Sequence, residues 1–272
     1  MKTLIGWTLL LSLGGWIFLP AAARAHDGWI EVTPAIVEKG QPVTVALMHG
    51  NHSNEHKSYR LAGKWDVEFT KVTVVAPSGK TSALAMIDLG EDPEKTGPKG
   101  PKGFHIGSFV AEEEGAYTVV ARQERAVERE DGAKFRGVRF ARAGFAALAV
   151  PTAAEARKIP RVDPPARGED ALEILPLTSL LGVAGKSSVT LEVRHKGKPA
   201  PGKTVSVMRR TAGAGAALDL TTDGEGRVTF TPDAADFYLA RVKFDEKSER
   251  SPGQFDLSSY EATYVFQVFN AR

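Results

Sequence analysis

From residue 26 onward the chain is written in short apolar alternations, each interrupted within a few residues by Gly, Pro, Asn or Asp, and that pattern leaves room for little but β-strands. Side chains in a strand point alternately to two faces, so a period of two buries one face or the other. The pattern predicts strands over 29–33, 43–48, 67–76, 106–111 and 117–122. A hairpin follows across Asp131-Gly132 into a long strand at 138–150, because Asp-Gly tolerates the positive φ of a tight turn. The second half repeats the style over 188–194, 204–208, 227–231, 237–244 and 260–269.

Strands of this length and spacing suit β-sandwiches. Pro151, Pro160, Pro164 and Pro165 remove backbone donors and stiffen the chain between the halves, around a short Ala-rich piece of one or two helical turns. The expected organisation is an N-terminal sandwich over 26–150, a linker over 151–170 with the boundary near 165, and a C-terminal Ig-like sandwich over 171–272. An internal echo supports two related units: Tyr117 and Tyr238 each stand at the start of a late strand. The segment Gly97-Pro98-Lys99-Gly100-Pro101-Lys102-Gly103 imitates collagen triplets but is far too short for a triple helix, and reads as a basic loop.

The first residues address the compartment. Lys2 precedes an apolar run from Leu4 to Leu19, and Ala21-Ala22-Ala23-Arg24-Ala25 provides the small residues of a cleavage site. Residues 1–25 are therefore expected to be a secretory signal, cleaved before His26, that exports the chain across a membrane to fold outside the cytoplasm. No later apolar stretch has the ~20 residues of a spanning helix. Of the 35 basic residues, Lys2 and Arg24 belong to the leader, leaving 33 against 33 acids, so charge gives no reason to expect nucleic acid.

The chain contains no cysteine, so any soft-metal site must use His or Met. Four of the six histidines, His26, His49, His52 and His56, crowd the start of the mature chain. Cleavage before His26 would join a free α-amine to an imidazole on one residue, a bidentate chelate suited to copper, nickel, cobalt or zinc. If the first two strands pair around a turn near 37–40, His26 faces His49, and the loop after Gly50 brings His52 or His56 to the same sheet end. Asp27 or Glu55 would then serve as the outer acceptor that orients a histidine ring. His105 could face either side of its strand, and His195 reads as an ordinary turn residue.

Motifs for other chemistries are missing: there is no G-x-S-x-G, H-E-x-x-H, P-loop or dinucleotide fingerprint. Asp223-Gly224-Glu225-Gly226 lacks calcium-loop spacing and reads as a turn. The alternating charges over 122–142 read as the wet face of a hairpin. No enzymatic activity is expected.

Several segments resemble the periplasmic nickel-uptake-like (NikM-like) proteins, soluble proteins associated with nickel and cobalt transport. They are Ala25-His26-Asp27-Gly28-Trp29-Ile30-Glu31, Leu172-Glu173-Ile174-Leu175-Pro176, Gly197-Lys198-Pro199 with Gly202 and Val205, Thr222-Asp223 before Gly226-Arg227-Val228-Thr229-Phe230, and Tyr260-Glu261-Ala262-Thr263. The resemblance implies an all-β chain of two Ig-like or regulatory-domain-like sandwiches. It also implies extracytoplasmic handling of Ni(II) or Co(II), with Cu(II) as the other candidate, a ligand role for His26, and a membrane metal transporter as partner. An N-terminal-His copper redox enzyme and a metal-free β-sandwich interaction module are the alternatives.

Overall fold

Strand Leu257–Val268 is apolar or buried on both of its faces, which places it between two layers rather than at the edge of one. Tyr260, Ala262, Tyr264, Phe266 and Val268 enter one core, while Val265 enters another on the opposite side. The computed structural model describes residues 26–51, 60–61, 63–91, 102–128, 132–160, 172–211 and 217–270, and the architecture below is that of these residues. The expected signal segment, His52, His56, Glu55, Asp131 and most of the basic Gly-Pro loop lie outside them.

The first half contains β1 (His26–Thr33), β2 (Ile36–Glu38), β3 (Pro42–Asn51), β4 (Arg60–Leu61), β5 (Thr70–Val75), β6 (Thr81–Ala83), β7 (Ile87–Asp88), β8 (Phe104–Val110), β9 (Gly115–Glu128) and β10 (Lys134–Leu148). The second contains β11 (Leu172–Pro176), β12 (Val189–His195), β13 (Lys198–Pro199), β14 (Thr204–Arg209), β15 (Leu218–Thr221), β16 (Arg227–Phe230), β17 (Asp236–Glu246) and β18 (Leu257–Val268). The only α-helix among the described residues is α1 (Ala153–Ala156), and no described helix is long and apolar enough to cross a membrane.

These strands form three sheets. A cover sheet runs β1-β3-β8-β7 with β4 on β3, and a second cover runs β11-β12-β13 with β16 on β12. Between them the order β15-β14-β17-β18-β10-β9-β5-β6 makes one sheet from both halves of the chain, with β2 also on β10. The join is the parallel pairing of β10 with β18, from Phe135 opposite Leu257 to Ala143 opposite Val265. Alternation along β10 then supplies both cores. Val138 and Phe140 pack under the C-terminal cover with Leu172, Leu191 and Phe230. Ala141, Ala143, Phe145 and Ala147 pack under the N-terminal cover with Ile30, Val45 and Leu47. The chain is all-β, two sandwiches sharing a central sheet.

Local expectations met several of these elements. The hairpin is there, with β9 and β10 antiparallel and Gly132 at φ +80 in the connection. Tyr117 and Tyr238 are both tyrosine corners, each hydroxyl reaching back four residues: Tyr117 lies 2.7 Å from the Glu113 amide and Tyr238 3.3 Å from that of Ala234. The Ala-rich piece does form one helical turn, capped by Thr152 through the Glu155 amide. Its Ala156 is buried beside Ala146 and Leu148, so the start of the Pro-rich segment is docked onto β10. The register of the first two strands differs from the hairpin reading. After Thr33 the chain crosses to the central sheet as β2, beside β10, before returning as β3. The tight turn expected near 37–40 is present, with the Gln41 amide on the Glu38 carbonyl at 3.0 Å, but it joins β2 to β3 rather than β1 to β3, and pairing places His26 opposite Asn51 and His49 opposite Gly28.

One buried ion pair ties the halves. Arg142 of β10 donates to Glu173 of β11, and both side chains are buried. Burial pulls the Arg142 guanidinium below its ordinary pKa, with Glu173 acting against the shift. Removing one partner strands a charge in a low dielectric. Glu173→Ala is expected to lower stability by about 3–5 kcal/mol in urea unfolding, and pairing Glu173→Leu with Arg142→Leu to recover most of that loss.

Candidate metal centre at the start of the first strand

β1 lies in the corner where the N-terminal cover meets the central sheet, held there by its backbone as well as its side chains. The Glu261 carboxylate of β18 accepts the Gly28 amide at 2.7 Å, and Thr263 Oγ1 donates to the Gly28 carbonyl at 2.7 Å. Gly28 is needed here because a Cβ would lie 2.5 Å from Arg139 Cδ and 2.6 Å from Trp65 Cζ2. Arg139 in turn bonds Glu261 through Nε at 3.0 Å and stacks its guanidinium 5.2 Å from the centre of a Trp65 ring. Trp65 Nε1 donates to the Met48 carbonyl at 2.6 Å, which ties this cluster back to β3.

The acidic side chains of β1 are absorbed by the same corner. Asp27 is fully buried, with Oδ1 accepting from Arg241 Nη1 at 2.8 Å and Oδ2 bonded to none of the described residues. Burial pushes its pKa up to about 7, against the pull of Arg241 and with the help of Glu261. Glu31 accepts from Trp29 Nε1 at 3.1 Å and pairs with Arg210 at 2.9 Å. Asp27 thus anchors the strand to β17. It faces away from the histidines and does not orient one, contrary to its expected role as outer acceptor.

His26 and His49 share the opposite face of β1 and β3. Their partners are offset by two residues, which makes them diagonal neighbours, and their ring centroids lie 5.8 Å apart at 87°. Neither ring nitrogen of His49 bonds a described residue, although both are buried. Gly63 leaves the space beside it, since a Cβ there would stand 2.4 Å from His49 Nδ1. Burial lowers the His49 pKa well below 6.5, helped by Arg139 and His26, so the ring is a neutral imidazole at physiological pH. Neutral imidazole with a free lone pair is what a transition metal takes. An ion roughly 2.0–2.1 Å from a nitrogen of each ring would hold two imidazole centroids about 5 Å apart, against the 5.8 Å found here.

The structure brings together two of the four predicted ligands. His52 and His56 lie outside the described residues, and among the described residues no group of three or more His, Asp or Glu is gathered closely enough to hold a metal. His105 is fully buried on β8 opposite Leu47, with Nε2 3.8 Å from Asp88 Oδ1. Lys64 binds the same carboxylate at 2.6 Å. His195 is not a plain turn residue, because its ring packs against Tyr260 at 4.5 Å and Phe244 at 5.0 Å. The residues that position the site, Glu261, Arg139 and Gly63, carry no recognisable ligand pattern. Glu261 lies in the 260–263 segment quoted above only as part of the family resemblance.

A family model described as "Domain of unknown function (DUF4198)" matches residues 23–246. The chain belongs to the DUF4198 family. That description assigns neither a metal nor a transport role, so membership is established for DUF4198 and the nickel-uptake likeness remains a matter for the proposal below. No curated protein is significantly similar to this DUF4198 chain. Among solved structures, a DUF4785 family protein from Legionella pneumophila is 13% identical at TM-score 0.27, covering 78% of this chain and 50% of its own, so the chain spans half that structure's length. A two-domain fibronectin type III segment of chicken tenascin is 14% identical at TM-score 0.23, covering 89% and 99%. The mouse nectin-like molecule 4 ectodomain is 10% identical at TM-score 0.22, covering 90% and 64%.

His105 provides a pH test separate from the metal ligands. Its pKa in the folded protein lies below the ordinary 6.5, chiefly through burial, with Lys64 adding to the shift and Asp88 and Asp66 opposing it. Below pH 6.5 the unfolded chain therefore binds the proton that the folded chain refuses, and stability falls as pH falls. Each pH unit in that window is worth up to about 1.4 kcal/mol, and His105→Gln should flatten the slope in denaturant unfolding between about pH 6.5 and 5.

Proposed function

We propose that this DUF4198 protein is a periplasmic transition-metal-binding protein, not an enzyme, that captures Ni(II), Co(II) or Cu(II) through His26 and His49 and supplies it to a membrane metal transporter. The observation that carries this reading is the pair of imidazoles 5.8 Å apart, one with both ring nitrogens buried and unbonded among the described residues. An unpaired buried polar group costs about 1–3 kcal/mol, a penalty that ligation would remove. Cleavage before His26 would add the α-amine as a third nitrogen, and His52 or His56, in the eight residues after Asn51, would provide a fourth. The buried anchoring of Asp27 and Gly28 supports the reading further, because it holds the start of the chain beside His49 at no cost on binding.

The residues fit the chemistry of a borderline metal. Imidazole and amine nitrogens without thiolate or clustered carboxylate suit nickel, cobalt and copper better than calcium or magnesium. The nickel or cobalt preference and the transporter rest on the likeness of the segment around His26, together with the other segments quoted above, to nickel-uptake-like proteins.

Calorimetric titration of exported protein, shown by intact mass to begin at His26, tests the proposal with Ni(II) and Cu(II). His26→Ala and His49→Ala are each expected to weaken binding by at least about 10–100-fold, as much as the loss of an outer-sphere partner costs in established sites. A single residue retained before His26 should weaken it comparably by removing the amine from the chelate. Gly63→Ala should do so too, by pressing on His49. Equal affinities in wild type, His26→Ala and His49→Ala would end the proposal.

A further inference from the structure

A groove of about 770 Å³ runs along β5, β9 and β10 on the face turned away from the N-terminal cover, and the C-terminal loop carrying Phe255 closes one side. That volume is typical of small-ligand sites. Lys71 and Arg122 stand directly opposite each other in the β5–β9 register, both lining the groove. Like charges facing across a ladder repel, so an anion held between them would relieve that repulsion. Arg122 is held in place rather than free to swing away: its Nη2 bonds Glu124 at 2.6 Å and its guanidinium sits 5.8 Å from the Phe140 ring centre. Glu124 is also taken by Arg136 Nε at 2.7 Å, so each of its oxygens already accepts from an arginine, and Glu68 is the other carboxylate lining the groove. Lys71, by contrast, pairs with no acid among the described residues. Phe69, 46% exposed, and Phe255 add aromatic surface to the same groove.

We infer that this groove is a second ligand site, unrelated to the histidine pair, that takes a small organic anion bearing an aromatic or apolar body. The anionic group lies between Lys71 and Arg122, and the body lies against Phe69 and Phe255. Cations set by the ladder register provide the charge complement, and the two rings provide the apolar contact that a bare inorganic anion cannot use.

The test is NMR titration of the mature chain with phenyl phosphate, with inorganic phosphate and phenol as the two half-ligands. Saturable binding of phenyl phosphate is expected, at least about tenfold tighter than inorganic phosphate, with no saturation by phenol. Lys71→Glu should weaken it by about tenfold or more without lowering the unfolding midpoint, since it replaces a like-charge pair across the ladder with an opposite-charge one. Phe69→Ser should erase the preference over inorganic phosphate, and His26→Ala should change nothing. Wild-type affinity in Lys71→Glu, equal binding of the two phosphates, or no saturable binding of phenyl phosphate would each overturn the assignment.

Discussion

The arrangement depends on one carboxylate. Glu261, on a strand buried on both sides, accepts the backbone amide of Gly28 and the guanidinium of Arg139 together. A charged acceptor holding a backbone amide in a buried site is among the stronger single hydrogen bonds a fold can make. Here it joins residues 233 apart in sequence. With Thr263 on the carbonyl of the same glycine, it fastens the first of the described strands to the last.

That fastening accounts for several features that would otherwise look costly. Asp27, Glu31, Arg139, Arg210 and Arg241 all lie in the seam between layers, and burying ions is expensive unless each finds a partner. They find them across the seam, so the polar groups act as a register for β1 rather than as added stability. The small residue at Gly28 lets the strand approach Arg139 and Trp65 closely, and the same seating leaves the His26 ring centroid 5.8 Å from that of His49. The proposed metal pair is thus a by-product of how β1 is seated, with the two histidines left on the face the seam does not use.

Much of the layout was legible from the residues. Period-two alternation marked the long strands, Asp131-Gly132 marked the hairpin, and the Ala-rich piece after Pro151 marked the helical turn. The prominence of His26 and His49 was also legible, from crowding alone. What could not be read was that Ile36–Glu38 leaves its neighbours to pair with β10, a choice made by three residues of no distinctive pattern. The register error for His26 followed from it. A two-residue offset keeps side chains on their face, which is why the histidine pair survived while its exact opposition did not.

The sequence by itself determined the all-β class and singled out the histidines proposed as ligands, because periodicity and side-chain chemistry are local properties. Only the tertiary structure decided that both halves contribute to one central sheet, that Asp27 belongs to Arg241 and not to a histidine, and that Lys71 confronts Arg122. Those facts depend on which distant strands become neighbours, and strand pairing is chosen by the burial of whole faces, a quantity no short segment contains.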